Sequence, residues 1–358
     1  MRSFPSPDRI SRRWQERIEA LQEYAVVRDG SVFRTSLSDS FLYESSYNAA
    51  RRLRDDLIRE WAGGSLEDAL PGDEVENGAG RCYHLQTRDT APLSLPGRGD
   101  PRRRLLSDLT LIHGIGPVTA RRLQGRGYRT IEDLLRHPRF RGDARAFLQR
   151  LDGGDVRGLV QWMARRRTHP RMLDTSRLLD PEEMVFLDLE TLGLFSRPII
   201  LIGMGALEGE RLTVHQYLIR DVAEEPAALA AALAHLNGGA RALVTFNGKT
   251  FDLPYLQERA AYYGIPMDAC GPHFDMLHFS RRQWKGRLPD CRLATLERNL
   301  FNHQRGDDVP SQMVPEFYDA YRRTGSPGPL IPIVEHNRQD VVTLARLYAR
   351  LLEAMHDD

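Results

Sequence analysis

Asp188 and Glu190 lie two apart in the run Phe186-Leu187-Asp188-Leu189-Glu190-Thr191, whose apolar residues read as a buried strand. Side chains alternate along a strand, so Val185, Leu187 and Leu189 point one way and Phe186, Asp188 and Glu190 the other. Neighbouring carboxylates repel, and ionised ones are rarely buried without a partner. Such a pair calls for a cation, and hard oxygen ligands suit magnesium or manganese.

Two further acids stand in segments that chain geometry can bring to that pair. In Thr245-Phe246-Asn247-Gly248-Lys249-Thr250-Phe251-Asp252-Leu253-Pro254 a strand ends at Asn247-Gly248 and a helix begins near Pro254, a residue favoured in a first helical turn. Asp252 then sits at or just before the helix start, where alone it reads as an N-cap. The segment Glu335-His336-Asn337-Arg338-Gln339-Asp340 opens a long C-terminal helix whose Leu344, Leu347 and Leu351 continue an apolar stripe. Residues four apart share a helical face, so His336 and Asp340 project together; alone, they read as a solvated helix start.

Together Asp188, Glu190, Asp252, Asp340 and His336 resemble the four-acid exonucleases of the ribonuclease H-like superfamily, the DEDD group, over roughly residues 182 to 352. The ordered set carries the resemblance: D-x-E on a first strand, N-x-x-x-F-D at a strand-to-helix turn, and H-N-x-x-D on the last helix. The phrases running from Asn247 to Leu256 and from His336 to Asp340 are closest to a bacterial subgroup of predicted ribonuclease H-like exonucleases. That subgroup is itself similar to the exonuclease domains of family B DNA polymerases. In the histidine branch of the superfamily the His usually precedes the last Asp by five positions, whereas the tyrosine branch places its Tyr four before it. His336 stands at the tyrosine spacing.

The resemblance implies two divalent ions, Mg or Mn, about 3.5 to 4 Å apart and clamping a scissile phosphate. By the same implication Asp188 bridges both ions, Glu190 and Asp340 hold the first, and Asp252 supports the second through water. His336 would orient or deprotonate the attacking water, a task suited to a side chain that titrates near neutrality. Beside the second motif, Asn247 and Lys249 are candidate nucleic-acid contacts, and Lys249 reads either as a phosphate partner or as simply exposed.

The elements that must position these groups are strands interleaved with helices. Apolar runs at 184 to 189, 198 to 207, 211 to 219 and 241 to 246, each followed by helical patterns, indicate an α/β domain. The resemblance makes this a ribonuclease H-like mixed sheet flanked by helices. Asp275, His278, Arg281 and Arg282 fall on a helical pattern that reads mostly as core plus a solvated face, with a substrate contact from one of them as the alternative, and His215 beside Tyr217 reads as a packed or edge strand position.

Upstream, residues 105 to about 171 are helical in pattern and rich in Arg. There Leu111-Ile112-His113-Gly114-Ile115-Gly116-Pro117-Val118-Thr119-Ala120-Arg121-Arg122-Leu123 resembles a helix-hairpin-helix DNA-binding motif. Glycines at 114 and 116 let the backbone turn tightly and approach a phosphate, and Pro117 starts a helix whose free N–H groups favour an anion. Gly114, Ile115, Gly116, Thr119, Arg121 and Arg122 are the candidate contacts, with Arg126 and Arg129 nearby. Such a grip carries no base information, and hairpins of this kind also serve as packing elements. Arg165-Arg166-Arg167 reads equally as a solvated charge run.

The N-terminal part has helical spacing at Ile10, Trp14, Ile18 and Leu21 and again from Tyr47 to Trp61, ended by Gly63-Gly64. A hairpin around Asn77-Gly78 follows, then a Pro-, Gly- and Arg-rich linker between Pro92 and Arg104. These breaks suggest three units: residues 1–100, a helical region with a β-hairpin; 101–178, the helix-hairpin-helix unit; and 179–358, the exonuclease-like domain.

Composition narrows the classes. The chain has 358 residues and a net charge of +1, and its only lysines are Lys249 and Lys285, so local clustering of Arg is the better guide to partners. Three widely spaced cysteines support neither a disulfide framework nor a zinc ribbon, and a reducing cytoplasm fits. No run approaches the roughly 18 apolar residues of a membrane span. The expectation is a metal-dependent 3′-5′ exonuclease acting on DNA, single-stranded or 3′-ended. RNA as the substrate, or an inactive DNA-binding adaptor, are the alternatives.

Overall fold

The computed structural model describes residues 37–89, 92–93, 95, 100–164, 169–193, 196–237, 241–268, 271–305 and 309–354, side chains of 37–46 apart. The helix expected around Ile10 to Leu21 and the Arg165-Arg166-Arg167 run lie outside these residues. Helix α1 spans Leu37–Glu60, with Gly63 beyond it at φ +78°, a conformation that favours glycine. Strands β1 (Asp73–Asn77) and β2 (Gly80–Arg88) form the expected hairpin.

Helices α2 (Pro101–Ser107), α3 (Pro117–Gln124), α4 (Arg141–Asp152) and α5 (Val156–Met163) make a helical unit packed on Leu105, Ile112, Ile115, Phe147 and Leu159. The linker expected to reach Arg104 ends earlier. Asp100 caps α2 by accepting from the Arg102 N–H, and Pro101 sits where a missing N–H costs nothing.

The third region runs β3 (Met184–Thr191), β4 (Ile199–Glu208), β5 (Arg211–Leu218), α6 (Glu225–Leu233), β6 (Ala242–Thr245), α7 (Asp252–Tyr263), β7 (His273–Asp275), α8 (Met276–Trp284), α9 (Leu293–Phe301), α10 (Val314–Thr324) and α11 (Leu330–Ala354). The sheet is mixed and seven-stranded, in the order β1-β2-β5-β4-β3-β6-β7. Its β3–β6 and β6–β7 pairs are parallel and its other pairs antiparallel. The fold is therefore α/β, with helices flanking a mixed sheet, as expected.

Two sequence boundaries shift. The hairpin grouped with residues 1–100 is the edge of the large sheet, because β2 pairs antiparallel with β5, Tyr83 opposite Leu218. Tyr83 and Leu85 bury their side chains there, which an isolated two-stranded ribbon could not do. The last helix begins at Leu330 rather than near Glu335, so His336 and Asp340 stand in its second and third turns instead of its first.

Alternation along β3 works as the sequence implies. Val185, Leu187 and Leu189 join one hydrophobic core with α6 and α7, while Phe186 packs on the other face against Tyr348 of α11. Asp188 and Glu190 share that second face. The helical unit docks on the same side, where the hydroxyls of Ser176 and Tyr348 are 2.7 Å apart in a buried hydrogen bond.

Candidate active site

The site begins with how closely α11 approaches the sheet. Gly203 of β4 lies opposite Asp188, and Gly205 opposite Phe186. A β-carbon on Gly203 would run into the Asn337 side chain, and one on Gly205 would come 2.8 Å from Val341 Cγ1. Asn337 and Val341 are one helical turn apart, so the two glycines form a groove in which α11 rests. The Asn337 amide fills it: Nδ2 donates to Asp188 Oδ2 at 2.8 Å and to the Asp188 carbonyl at 3.2 Å, while Oδ1 accepts from Gln216 Nε2 at 2.9 Å. Gln216 also donates to the Val334 carbonyl. This polar clamp fixes the register of α11 over β3.

With that register set, His336 and Asp340 reach the acids of β3. His336 Nε2 lies 3.7 Å from Glu190 Oε1 and 3.6 Å from Asp340 Oδ2. Asp252, the first residue of α7, completes the group: Glu190 raises its carboxyl electrostatically, and the Leu189 N–H partly offsets this by hydrogen bonding. Asp252 makes no side-chain cap for α7, so the capping alternative does not describe it.

The turn that delivers Asp252 is held by a residue the sequence reading assigned to core and solvated surface. Asp275, 1 % exposed, accepts from the backbone N–H groups of Asn247 at 2.8 Å and Lys249 at 3.2 Å, and caps α8 through the Leu277 N–H. Asn247 takes a left-handed φ of +65°, which Asn tolerates better than most side chains. Lys249 is exposed beside this turn.

Electrostatically the cluster is unresolved. Burial raises the Asp188 carboxyl well above its ordinary value, and Asp340, Glu190 and Asp252 raise it further. Asp252 is pushed up to about 8, chiefly by burial, with Asp275 and Glu190 adding repulsion. Carboxyls in this state hold protons they would surrender to a cation. No three His, Cys, Asp or Glu side chains among the described residues are already gathered at metal-ligand spacing. The donor set nonetheless fits hard divalent ions: four carboxylates, no thiolate, and one neighbouring imidazole.

The hairpin of the helical unit has the expected shape. Gly114 adopts φ +79°, Gly116 precedes α3 at the N-cap position and Pro117 occupies its first turn. Arg121, Arg122, Arg126 and Arg129 are all exposed, and none forms an ion pair among the described residues. Thr119 is half-buried. Ile115 departs from the expectation: its side chain is fully buried in the helical core and its N–H donates to the Ile112 carbonyl, so it braces the hairpin instead of facing solvent.

Some contributors went unread in the sequence. The alternating glycines in Ile202-Gly203-Met204-Gly205, unusual inside an apolar strand, were the available signal for the helix groove. Gln216, Asp275 and the Glu297–Arg305 pair left no local pattern, because their roles depend on contacts across the fold.

A mixed sheet flanked by helices and carrying an acidic cluster is what this fold and site define. In agreement, residues 185–352 match the model of the RNase_H superfamily, and residues 107–143 match that of the fingers domain of DNA polymerase lambda. Uncharacterized protein YprB of Bacillus subtilis (strain 168) is 31% identical over 173 residues, covering 47% of this chain and 41% of that protein. The chain thus matches less than half the length of that relative. No helix among the described residues is long and apolar enough to cross a membrane.

Proposed function

We propose that the chain is a metal-dependent 3′-5′ exonuclease that hydrolyses phosphodiester bonds of DNA. The observation that carries this reading is the convergence of Asp188, Glu190, Asp252, His336 and Asp340 from three separated segments onto one face of the sheet. Asp188, Glu190, Asp252 and Asp340 are the residues that would hold two divalent ions. When bound, such ions supply positive charge at the phosphate and an acidified water.

The chain's own residues do the rest. Asn337 keeps Asp188 aimed by holding one of its carboxylate oxygens, and Asp275 keeps the Asp252 turn in place. His336, between Glu190 and Asp340, is set to orient an attacking water. Exposed Lys249 is available to a substrate phosphate, and the arginines around the Gly114-Ile115-Gly116 hairpin to the backbone beyond it. The likeness of residues 107–143 to a DNA polymerase fingers domain supports DNA over RNA.

The test is a panel of 3′- and 5′-labelled oligonucleotides of one sequence, as single-stranded DNA, duplex DNA and RNA, with and without Mg²⁺ or Mn²⁺. Metal-dependent release of mononucleotides from the 3′ end of DNA is the expected result. Preferential RNA degradation would move the substrate, and full activity in Asp188→Asn or Asp340→Asn would overturn the site.

A further inference from the structure

Besides the acids, the cluster contains a guanidinium. Arg305 precedes α10 and donates through Nε to Glu297 Oε2 at 2.6 Å, through an Nη2 ion pair to Asp340 Oδ1, and through Nη1 to His336 Nδ1 at 3.4 Å. Its anchor is firm. Glu297 of α9 is 1 % exposed, and its other oxygen accepts from Gln339 Nε2 and from Thr343 Oγ1 at 2.9 Å. His336, Gln339, Asp340 and Thr343 occupy successive positions on one face of α11. A single helical stripe therefore braces Glu297 at one end and presents the site residues at the other, with Arg305 spanning them.

We propose that Arg305 is a positioning residue of this site, fixing both the Asp340 carboxylate and the tautomer of His336. The argument rests on what a guanidinium can do. It has five N–H donors and no acceptor, so His336 Nδ1 must accept, and the proton of the neutral ring sits on Nε2. That Nε2–H faces Glu190 Oε1 and Asp340 Oδ2. His336 then orients groups by donating from Nε2; its one lone pair is taken by Arg305. Asp340, held at Oδ1 by Arg305, keeps Oδ2 for the interior of the site. The consequence for catalysis rests on the exonuclease reading, but the arrangement itself does not.

Lys in place of Arg305 would keep the charge and lose the geometry, since an ammonium cannot hold Glu297, Asp340 and the imidazole in one plane. Arg305→Met would lose both. The decisive measurement is long-range ¹H–¹⁵N correlation on metal-free full-length chain labelled at histidine, with His336 assigned by its loss in His336→Gln. It is paired with calorimetric Mn²⁺ binding and steady-state turnover.

In the wild type Nε2 is expected to be protonated and Nδ1 bare. In both Arg305 variants that tautomer preference is lost. Arg305→Met binds Mn²⁺ about tenfold tighter, because one competing positive charge leaves the acids. Its kcat nonetheless falls about 100-fold with little change in KM, as loss of a group that orients the reacting atoms does. Arg305→Lys, which keeps the charge should the Met variant fold poorly, holds Mn²⁺ affinity within about twofold and loses kcat alike. A wild-type proton on Nδ1, or unchanged His336 signals in Arg305→Lys, overturns the proposal. Wild-type protein with the expected tautomer and Mn²⁺ binding but no cleavage of any nucleic acid overturns the nuclease reading and leaves the Arg305 assignment standing.

Discussion

Each face of the central sheet buries a polar cluster, and adjacent residues of β5 belong to opposite ones. Gln216 faces α11 and braces Asn337 over Asp188. His215 and Tyr217 face the other way, where His84, His215 and Tyr217 stack and the Tyr217 hydroxyl meets His235 Nε2 at 2.7 Å. Burial acts on both clusters in the same sense, toward neutrality: the Asp188 and Asp252 carboxyls rise, and the imidazoles fall, His235 to about 4. Neutral imidazoles offer one donor and one acceptor each and can satisfy one another; His84 Nε2 and His215 Nδ1 are 3.1 Å apart. With Arg305 already paired to Asp340, the Asp188 and Asp252 carboxyls can do so only by keeping protons or gaining a further cation. Burial leaves the imidazoles satisfied by one another and the carboxyls short of compensating charge, a contrast that supports the proposed function of the acidic face.

The sharpest way to break this contrast is Asp188→Asn. If the acid cluster is the catalytic one, nuclease turnover falls at least about 10³-fold, in the range expected for losing a principal source of transition-state stabilisation. Removing one of four mutually repelling acids also raises the metal-free melting temperature, by a few degrees on the order-of-magnitude scale for a small gain in stability. A conservative change in the histidine cluster, Tyr217→Phe, leaves turnover intact. Comparable activity loss in both variants would erase the distinction between the faces.

The groove under α11 comes next. Gly203→Ala drives a methyl group into Asn337, and overpacking of this kind costs about 1–3 kcal/mol in a urea denaturation curve. Turnover drops further than stability predicts, because His336 and Asp340 ride on the displaced helix. A Gly203→Ala enzyme with wild-type kcat would show that the close helix contact is packing and nothing more.

Much of this geometry could be read in advance, for definable reasons. Period-two alternation placed Asp188 and Glu190 on one face, and helical spacing paired His336 with Asp340, because local backbone geometry settles both. The sheet-edge role of β1 and β2 was invisible, since a hairpin's local signals are the same whether it stands alone or pairs with β5. The start of α11 was misplaced because Pro332 sits in its first turn, where Pro is tolerated, while its apolar stripe announces itself only later. Arg305 could not be found at all: its role exists only because Glu297, Asp340 and His336 meet in space.

The two clusters also titrate in opposite directions, which sharpens the comparison through pH. An imidazole depressed by folding leaves the unfolded chain holding more protons between about pH 4 and 6.5, so the His235 face gains stability as pH rises through that window. A carboxyl raised to about 8 leaves the folded chain holding more protons, so the Asp252 face loses stability as pH rises from about 4 to 8. Above about pH 6.5 only the second trend remains. Metal-free protein should therefore melt at progressively lower temperature from pH 6.5 to 8, and saturating Mn²⁺ should remove that decline. A flat metal-free profile above pH 6.5 would mean the acids are not crowded enough to need a cation.

The smallest expected effect concerns the helical unit, which contacts the sheet through apolar packing yet turns exposed arginines outward. If Arg121 and Arg122 meet DNA phosphates, each Arg→Gln change weakens binding a few-fold at moderate salt and lowers the slope of log affinity against log salt by about one for duplex and somewhat less for single strands. The loss is uniform across sequences, since phosphate contacts carry no base information. Gly114→Val, which strains a residue at φ +79°, weakens binding more without altering charge. Fluorescence anisotropy over a salt series separates the two mechanisms: a changed slope reports lost ion contacts, whereas a parallel shift reports a distorted hairpin. If both variants match the wild type at every salt concentration, the hairpin is a packing element, and nucleic acid is held by the sheet face alone.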